Sequence, residues 1–199
     1  TRAYYEARFE LAFLNSRGEA FQDFFSSIME KRYPEDFSRV RPWGNAGDWK
    51  NDGYLKSART LFQSYAPNEL DVAKCLSKID EDFKGALPHW STHFDKWVFV
   101  HNSRQGLGPQ VTKHLLDLDV AHAPLKTRSW GYEELRQEAF QLPEVHLASL
   151  LGAAPSMQSV VSLGMKDIQP LLDQIVLLPG TPDPDLRPVS GTKLSYNQL

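Results

Sequence analysis

Apolar side chains recur every three or four residues along the first fifteen positions, at Tyr5, Phe9, Ala12 and Phe13, which predicts a short helix with one buried stripe. Asn15, Ser16 and Gly18 interrupt it. From Glu19 the same period returns more strongly. Phe21, Phe24, Phe25, Ile28 and Met29 lie one turn apart with Gln22, Asp23, Glu30 and Lys31 elsewhere, so a buried amphipathic helix is expected to end near Tyr33 and Pro34. Beyond that point the period shortens. Phe37 to Arg41 reads as a strand entering a turn-rich loop, Pro42 to Gly53, and Tyr54 to Ser57 and Arg59 to Tyr65 read as two more strands. Ala66-Pro67-Asn68 stops the last of these. Asn68 is expected to cap a helix with Glu69 and Asp71 in its first turn and Val72, Leu76, Ile79 and Phe83 along one side, ended or interrupted by Gly85 and Pro88. Lys96 to His101 is apolar on both parities, the mark of a central strand covered on both faces. A Gly-containing turn, a helix from Gln110 to Leu118, a candidate edge strand from Pro124 to Thr127 and a helix from Tyr132 to Gln141 complete the pattern.

Antiparallel neighbours followed by a crossover helix imply an α/β fold with a mixed central β-sheet flanked by helices. The chain has 199 residues, 41% of them hydrophobic and 24% charged, enough for one core, which we assign to residues 1–178. Pro179 to Pro188 carries four prolines and reads as a linker, so residues 179–199 are expected to lead towards a C-terminal module. No stretch approaches the roughly 18 apolar residues that cross a bilayer, and the first dozen residues lack the order of a signal peptide, so a cytoplasmic location without membrane contact is expected. The single cysteine, Cys75, excludes an intrachain disulfide framework or a cysteine-rich zinc site and is expected to be buried and inert. A formal charge of -3 means that contact with nucleic acid needs a local basic patch, because the overall field does not supply one.

Candidate chemistry concentrates between residues 47 and 65. In Gly47-Asp48-Trp49-Lys50-Asn51-Asp52-Gly53 the asparagine, aspartates and glycines suit tight turns as well as ligand roles. Strand alternation places Asp52, Tyr54 and Lys56 on one side and Gln63 and Tyr65 on one side of the next strand. If the two strands form a hairpin, Asp52 and Gln63 meet. With Gln22 or Glu19 above them, a carboxylate and an amide oxygen there would hold a divalent cation able to activate water and neutralise a phosphodiester. Arg32, Arg39, Arg41, Lys50, Lys56 and Arg59 fall in or near the same segment. On a shared face they would form a nucleic-acid patch, with Trp43 and Trp49 as stacking partners, or else a solvated strand edge.

Phe21-Gln22, Gly47-Asp48...Asp52-Gly53 and Gln63-Ser64-Tyr65, in this order of elements, resemble the restriction-endonuclease-like or PD-(D/E)xK superfamily over about residues 19 to 141. The chain is also similar to the amino-terminal nuclease-like domains of bacterial antiphage defence proteins, including ABC-three-component systems. The resemblance implies a metal-dependent DNA endonuclease-like effector. Mg²⁺ would sit on Asp52 and Gln63 with help from Asp48, Tyr65 or Lys56 would orient water, and Lys50, Arg59 and Arg41 would contact DNA. DNA, other subunits of a defence system and further copies of the chain are the implied partners. Tyr65 stands where the family has lysine, and amides replace acids at Gln22 and Gln63. A phenol with an ordinary pKa of about 10 is neutral at pH 7 and supplies no positive charge. The alternative is therefore a catalytically inactive descendant that binds DNA or a partner protein.

Three further features stand outside that constellation. His89 and His93 have the i, i+4 spacing of zinc ligands but lack an evident third ligand. His101 is expected to be a structural, hydrogen-bonded residue. The loop Asn102 to Pro109 precedes a helix, so its backbone donors and Arg104 could receive a phosphate, although it lacks the Gly-Lys-Ser of a P-loop.

Overall fold

A computed structural model describes residues 1–41, 49–156 and 169. Its first unit, Thr1–Ala154, carries the sheet and all the elements described below. The second, Pro155–Leu199, contains the expected linker and lies almost wholly outside the described residues.

Helices α1 (Arg2–Asn15) and α2 (Gly18–Arg32) form where the apolar period demanded them, burying Tyr5, Phe9 and Phe13 from one and Phe21, Phe25, Ile28 and Met29 from the other. Strands β1 (Phe37–Arg39), β2 (Gly53–Leu55) and β3 (Thr60–Tyr65) are antiparallel neighbours. Helix α3 (Val72–Trp90) crosses to β4 (Lys96–His101), and α4 (Pro109–Ala121) to β5 (Lys126–Trp130), so β3, β4 and β5 run parallel. The sheet order is β1-β2-β3-β4-β5. Helices α5 (Tyr132–Ala139) and α6 (Glu144–Leu151) follow; the second was not anticipated.

The sheet separates two cores, and β4 shows why its sequence is apolar at nearly every position. Val98 and Val100 face a cluster with residues of α1, α2, α5 and α6, whereas Trp97 and Phe99 face one with residues of α3 and α4. Both faces are dry, so alternation disappears. The first core is aromatic: Phe9 meets Phe13, Phe24, Tyr132 and Phe140 at centroid distances of 5.5 to 6.4 Å. Gly53 is required at the start of β2, because a Cβ there would lie 2.3 Å from the Phe37 ring.

Two helix boundaries differ from expectation. Asp71, not Asn68, caps α3, its carboxylate accepting the Lys74 N–H at 2.8 Å. Glu69 therefore lies before the helix rather than in its first turn. The same helix runs through Gly85 and Pro88, because its buried side (Cys75, Ile79, Phe83 and Ala86) continues past them. Packing of that face outweighs one hydrogen bond lost at proline. Replacing Asp71 with alanine should cost about 1 kcal/mol, read as a lower urea midpoint at unchanged slope.

Candidate functional site

The short β2–β3 hairpin decides which side chains meet. Gly53 pairs with Phe62, Tyr54 with Leu61 and Leu55 with Thr60, and one further step in that register sets Asp52 opposite Gln63. The Asp52 N–H donates to the Phe62 carbonyl at 2.9 Å, which holds this step in place. Turn chemistry falls to the neighbouring Asn51, whose side-chain oxygen accepts the Gly53 N–H at 2.9 Å. Asp52 is thereby left for the groove.

That groove, about 410 Å³, opens at the carboxyl end of β3 between the start of α2 and the middle of α3. Asp52, Gln63, Tyr65 and Gln22 line it together, as the hairpin reading expected. Asp52 is 4% exposed. Its Oδ1 accepts from Gln22 Nε2 at 2.6 Å and its Oδ2 from the Ser64 N–H at 2.6 Å. Gln63 is 5% exposed, and its Oε1 has no hydrogen-bond partner among the described residues. An amide oxygen removed from water and left unpaired is costly unless a donor or cation meets it. Burial, with smaller contributions from Cys75 and Asp71, raises the pKa of Tyr65 above its ordinary value, so its hydroxyl is protonated and acts as a donor and acceptor only.

Lys78 also lines this groove and was not anticipated. Its ammonium sits 2.8 Å from Asp82, a carboxylate with no exposed surface that also receives Lys50 at 3.4 Å. Burial raises the pKa of Asp82 and the two lysines oppose that rise. A sequence signal existed: Asp82 falls on the buried stripe of α3, among Ile79, Phe83 and Ala86, with Lys78 one turn before it. An acid on an apolar stripe calls for a cation partner.

Other candidates lie elsewhere. Lys56 and Arg59 belong to the turn closing the β2–β3 hairpin, at the opposite end of β3 from the groove, so Lys56 does not join Asp52. Strand alternation put Lys56 on the side of Asp52, but the strand ends at Leu55, so the alternation does not extend to Lys56. Arg59 pairs with Asp95 at 2.8 Å and donates to the Thr92 carbonyl. Lys50 pairs with Glu81 and Asp82 on α3, contacts that raise its pKa. Arg41 meets Asp23 at 3.1 Å in a second cavity, about 340 Å³, lined also by Glu19, Gln22 and Arg39. Arg39 pairs with the same Asp23, and Arg32 with Glu138 at 3.4 Å. The expected patch is thus distributed over several acidic partners rather than gathered on one face. Trp49 stacks on His89 with ring centroids 4.9 Å apart, and no group of three or more metal-ligating side chains forms among the described residues. Asp48 and Trp43 lie outside the described residues.

Cys75 is buried, with its thiol pKa raised to about 11 by burial, as an inert core thiol requires. Among the described residues no helix is long and apolar enough to cross a membrane. The fold class established by these elements is mixed α/β, with six helices around a five-stranded sheet among the described residues. No family model, curated protein or solved structure matches the chain.

Proposed function

We propose that this chain is a restriction-endonuclease-like domain of prokaryotic antiphage defence that engages the phosphodiester backbone of DNA at the Asp52–Gln63 groove and cleaves it with Mg²⁺. One observation carries the reading: Gln63, whose buried Oε1 has no hydrogen-bond partner among the described residues, lines the same groove as Asp52. A carboxylate and an amide oxygen are both hard oxygen ligands, the type a divalent cation such as Mg²⁺ takes. The chemistry a cation supplies on such ligands is neutralisation of phosphoryl charge and activation of water. Gln22 and the Ser64 N–H orient the carboxylate. Lys78 brings positive charge to the groove wall, the property that Tyr65 lacks, and Tyr65 offers a neutral hydroxyl to a phosphate or water.

A second reading has its own support. Both oxygens of Asp52 already serve protein donors, and amides occupy two of the positions where a nuclease would hold acids. That arrangement suits a domain that binds DNA or a protein without cutting.

Incubation of plasmid with the full chain and Mg²⁺ or Mn²⁺ separates the two. Cleavage is expected in the wild type, with a loss of about a hundredfold or more in Asp52→Ala and a comparable loss in Lys78→Ala. If neither wild type nor variant cuts, yet both shift DNA in a salt-dependent manner, cleavage is overturned and the binding reading stands.

A further inference from the structure

Away from that groove, the connections leaving two adjacent parallel strands diverge. After β4 the chain passes to α4, which packs on one side of the sheet with α3; after β5 it passes to α5, which packs on the other with α2. Such divergence opens a crevice at the carboxyl ends of the two strands, the place where open α/β sheets bind ligands. A cavity of about 250 Å³ occupies it.

His101, the last residue of β4, lines the cavity and is 2% exposed. Its Nδ1 accepts the Ser103 N–H at 3.2 Å, which leaves the proton of the neutral ring on Nε2. Nε2 meets no partner among the described residues. Burial lowers the pKa of this ring to about 4, against a weaker opposing pull from Glu134, so it is a neutral donor at pH 7. Gly131 keeps the space beside it open: a Cβ there would lie 2.6 Å from Cε1 and 3.1 Å from Nε2.

The walls have opposite character. On the α4 side the helix begins at Pro109, which has no N–H, with no side-chain cap and no acid in its first turn; Gly106, Leu107 and Thr112, which flank that start, line the cavity and set it at the positive end of the helix dipole. Arg104 lies on the same loop, its guanidinium 3.6 Å from the Tyr132 ring centroid and its Nε 3.2 Å from Glu10. Facing them, α5 contributes two carboxylates. Glu134 accepts the Gly131 N–H at 2.8 Å, while Glu133 is exposed and 3.6 Å from Arg136. A bare dianion would be repelled by the carboxylate wall, and a simple amine by the other.

We propose that this crevice binds a sugar phosphate, free or as part of a nucleotide. The phosphate lies at the amino end of α4 with Arg104 and the Nε2–H of His101, and the sugar hydroxyls donate to Glu133. The assignment uses no residue of the Asp52–Gln63 groove and is independent of nuclease activity.

Calorimetric titration of the full chain with ribose 5-phosphate, inorganic phosphate and AMP tests it. Saturable binding of ribose 5-phosphate is expected, at least tenfold tighter than inorganic phosphate. Arg104→Ala should weaken all three probes about tenfold, whereas Glu133→Gln should weaken ribose 5-phosphate and AMP but not inorganic phosphate. The side chains are exposed to 42% at Arg104 and 58% at Glu133, and a melting curve checks that each variant keeps the fold. AMP binding more tightly than ribose 5-phosphate assigns the site to a nucleotide, and equal binding assigns it to the sugar phosphate alone. Failure of ribose 5-phosphate and AMP to bind, inorganic phosphate binding as tightly as the sugar phosphate, or indifference to Arg104→Ala would overturn the proposal.

Discussion

Truncating Phe62 to alanine is expected to lower the free energy of unfolding by about 3–5 kcal/mol. The ring is wholly buried in the middle of β3 and touches Phe25 at 5.3 Å, Phe37 at 6.1 Å and Trp130 at 5.1 Å. It thus ties α2, β1 and the end of β5 to one strand. Close-packed neighbours on several elements cannot all relax into the void, so the cost includes a cavity as well as lost transfer energy. Urea denaturation measures the loss directly, and Val120→Ala, at a side chain 82% exposed on α4, should change stability by no more than about 0.5 kcal/mol. The backbone of Phe62 also receives the Asp52 N–H, so the same truncation should loosen the groove.

Acid should destabilise the fold through His101. An ordinary histidine titrates near 6.5, and this one is pushed down to about 4 because charging it would place a cation in the interior. Between those values the unfolded chain holds the proton and the folded chain does not. Stability from this group is therefore fully present above pH about 6.5 and is lost as pH falls towards 4, by about 3 kcal/mol in total. Asp82 acts in the opposite sense, since burial raises its pKa and protonation relieves a buried charge. Glu6 has its pKa lowered chiefly by hydrogen bonds from Arg136, so its contribution disappears only at more acid pH. Comparing urea midpoints of wild type and His101→Gln from pH 7 to pH 4 isolates the histidine. The variant should show a markedly flatter profile, and parallel profiles would refute the assignment.

Part of the candidate site follows from local rules. Period-two alternation and a turn between residues 55 and 60 suffice to bring Asp52 and Gln63 together, and the hairpin has that register. The same alternation misplaced Lys56, because a hairpin's closing turn lies at the end remote from its open side, and strand length sets which end a residue joins. Nothing in the spacing between Gln63 and Lys78 links them. Their meeting depends on where α3 packs after crossing over the sheet. The dispersed arginines and lysines teach the same point, since Arg32, Arg39, Arg41, Lys50 and Arg59 are each claimed by an acid distant in sequence, as Arg59 is by Asp95.

Hydrophobic periodicity therefore determined the main helices and the interior, doubly covered position of β4, and the order of elements determined the mixed character of the sheet, because burying an apolar face is a local demand repeated along each element. The crevice beside His101 and the groove wall at Lys78 were decided only in three dimensions. Cavities form where chain connections diverge, and the pairing of a charge depends on which distant element supplies its partner, neither of which is encoded in spacing along one segment.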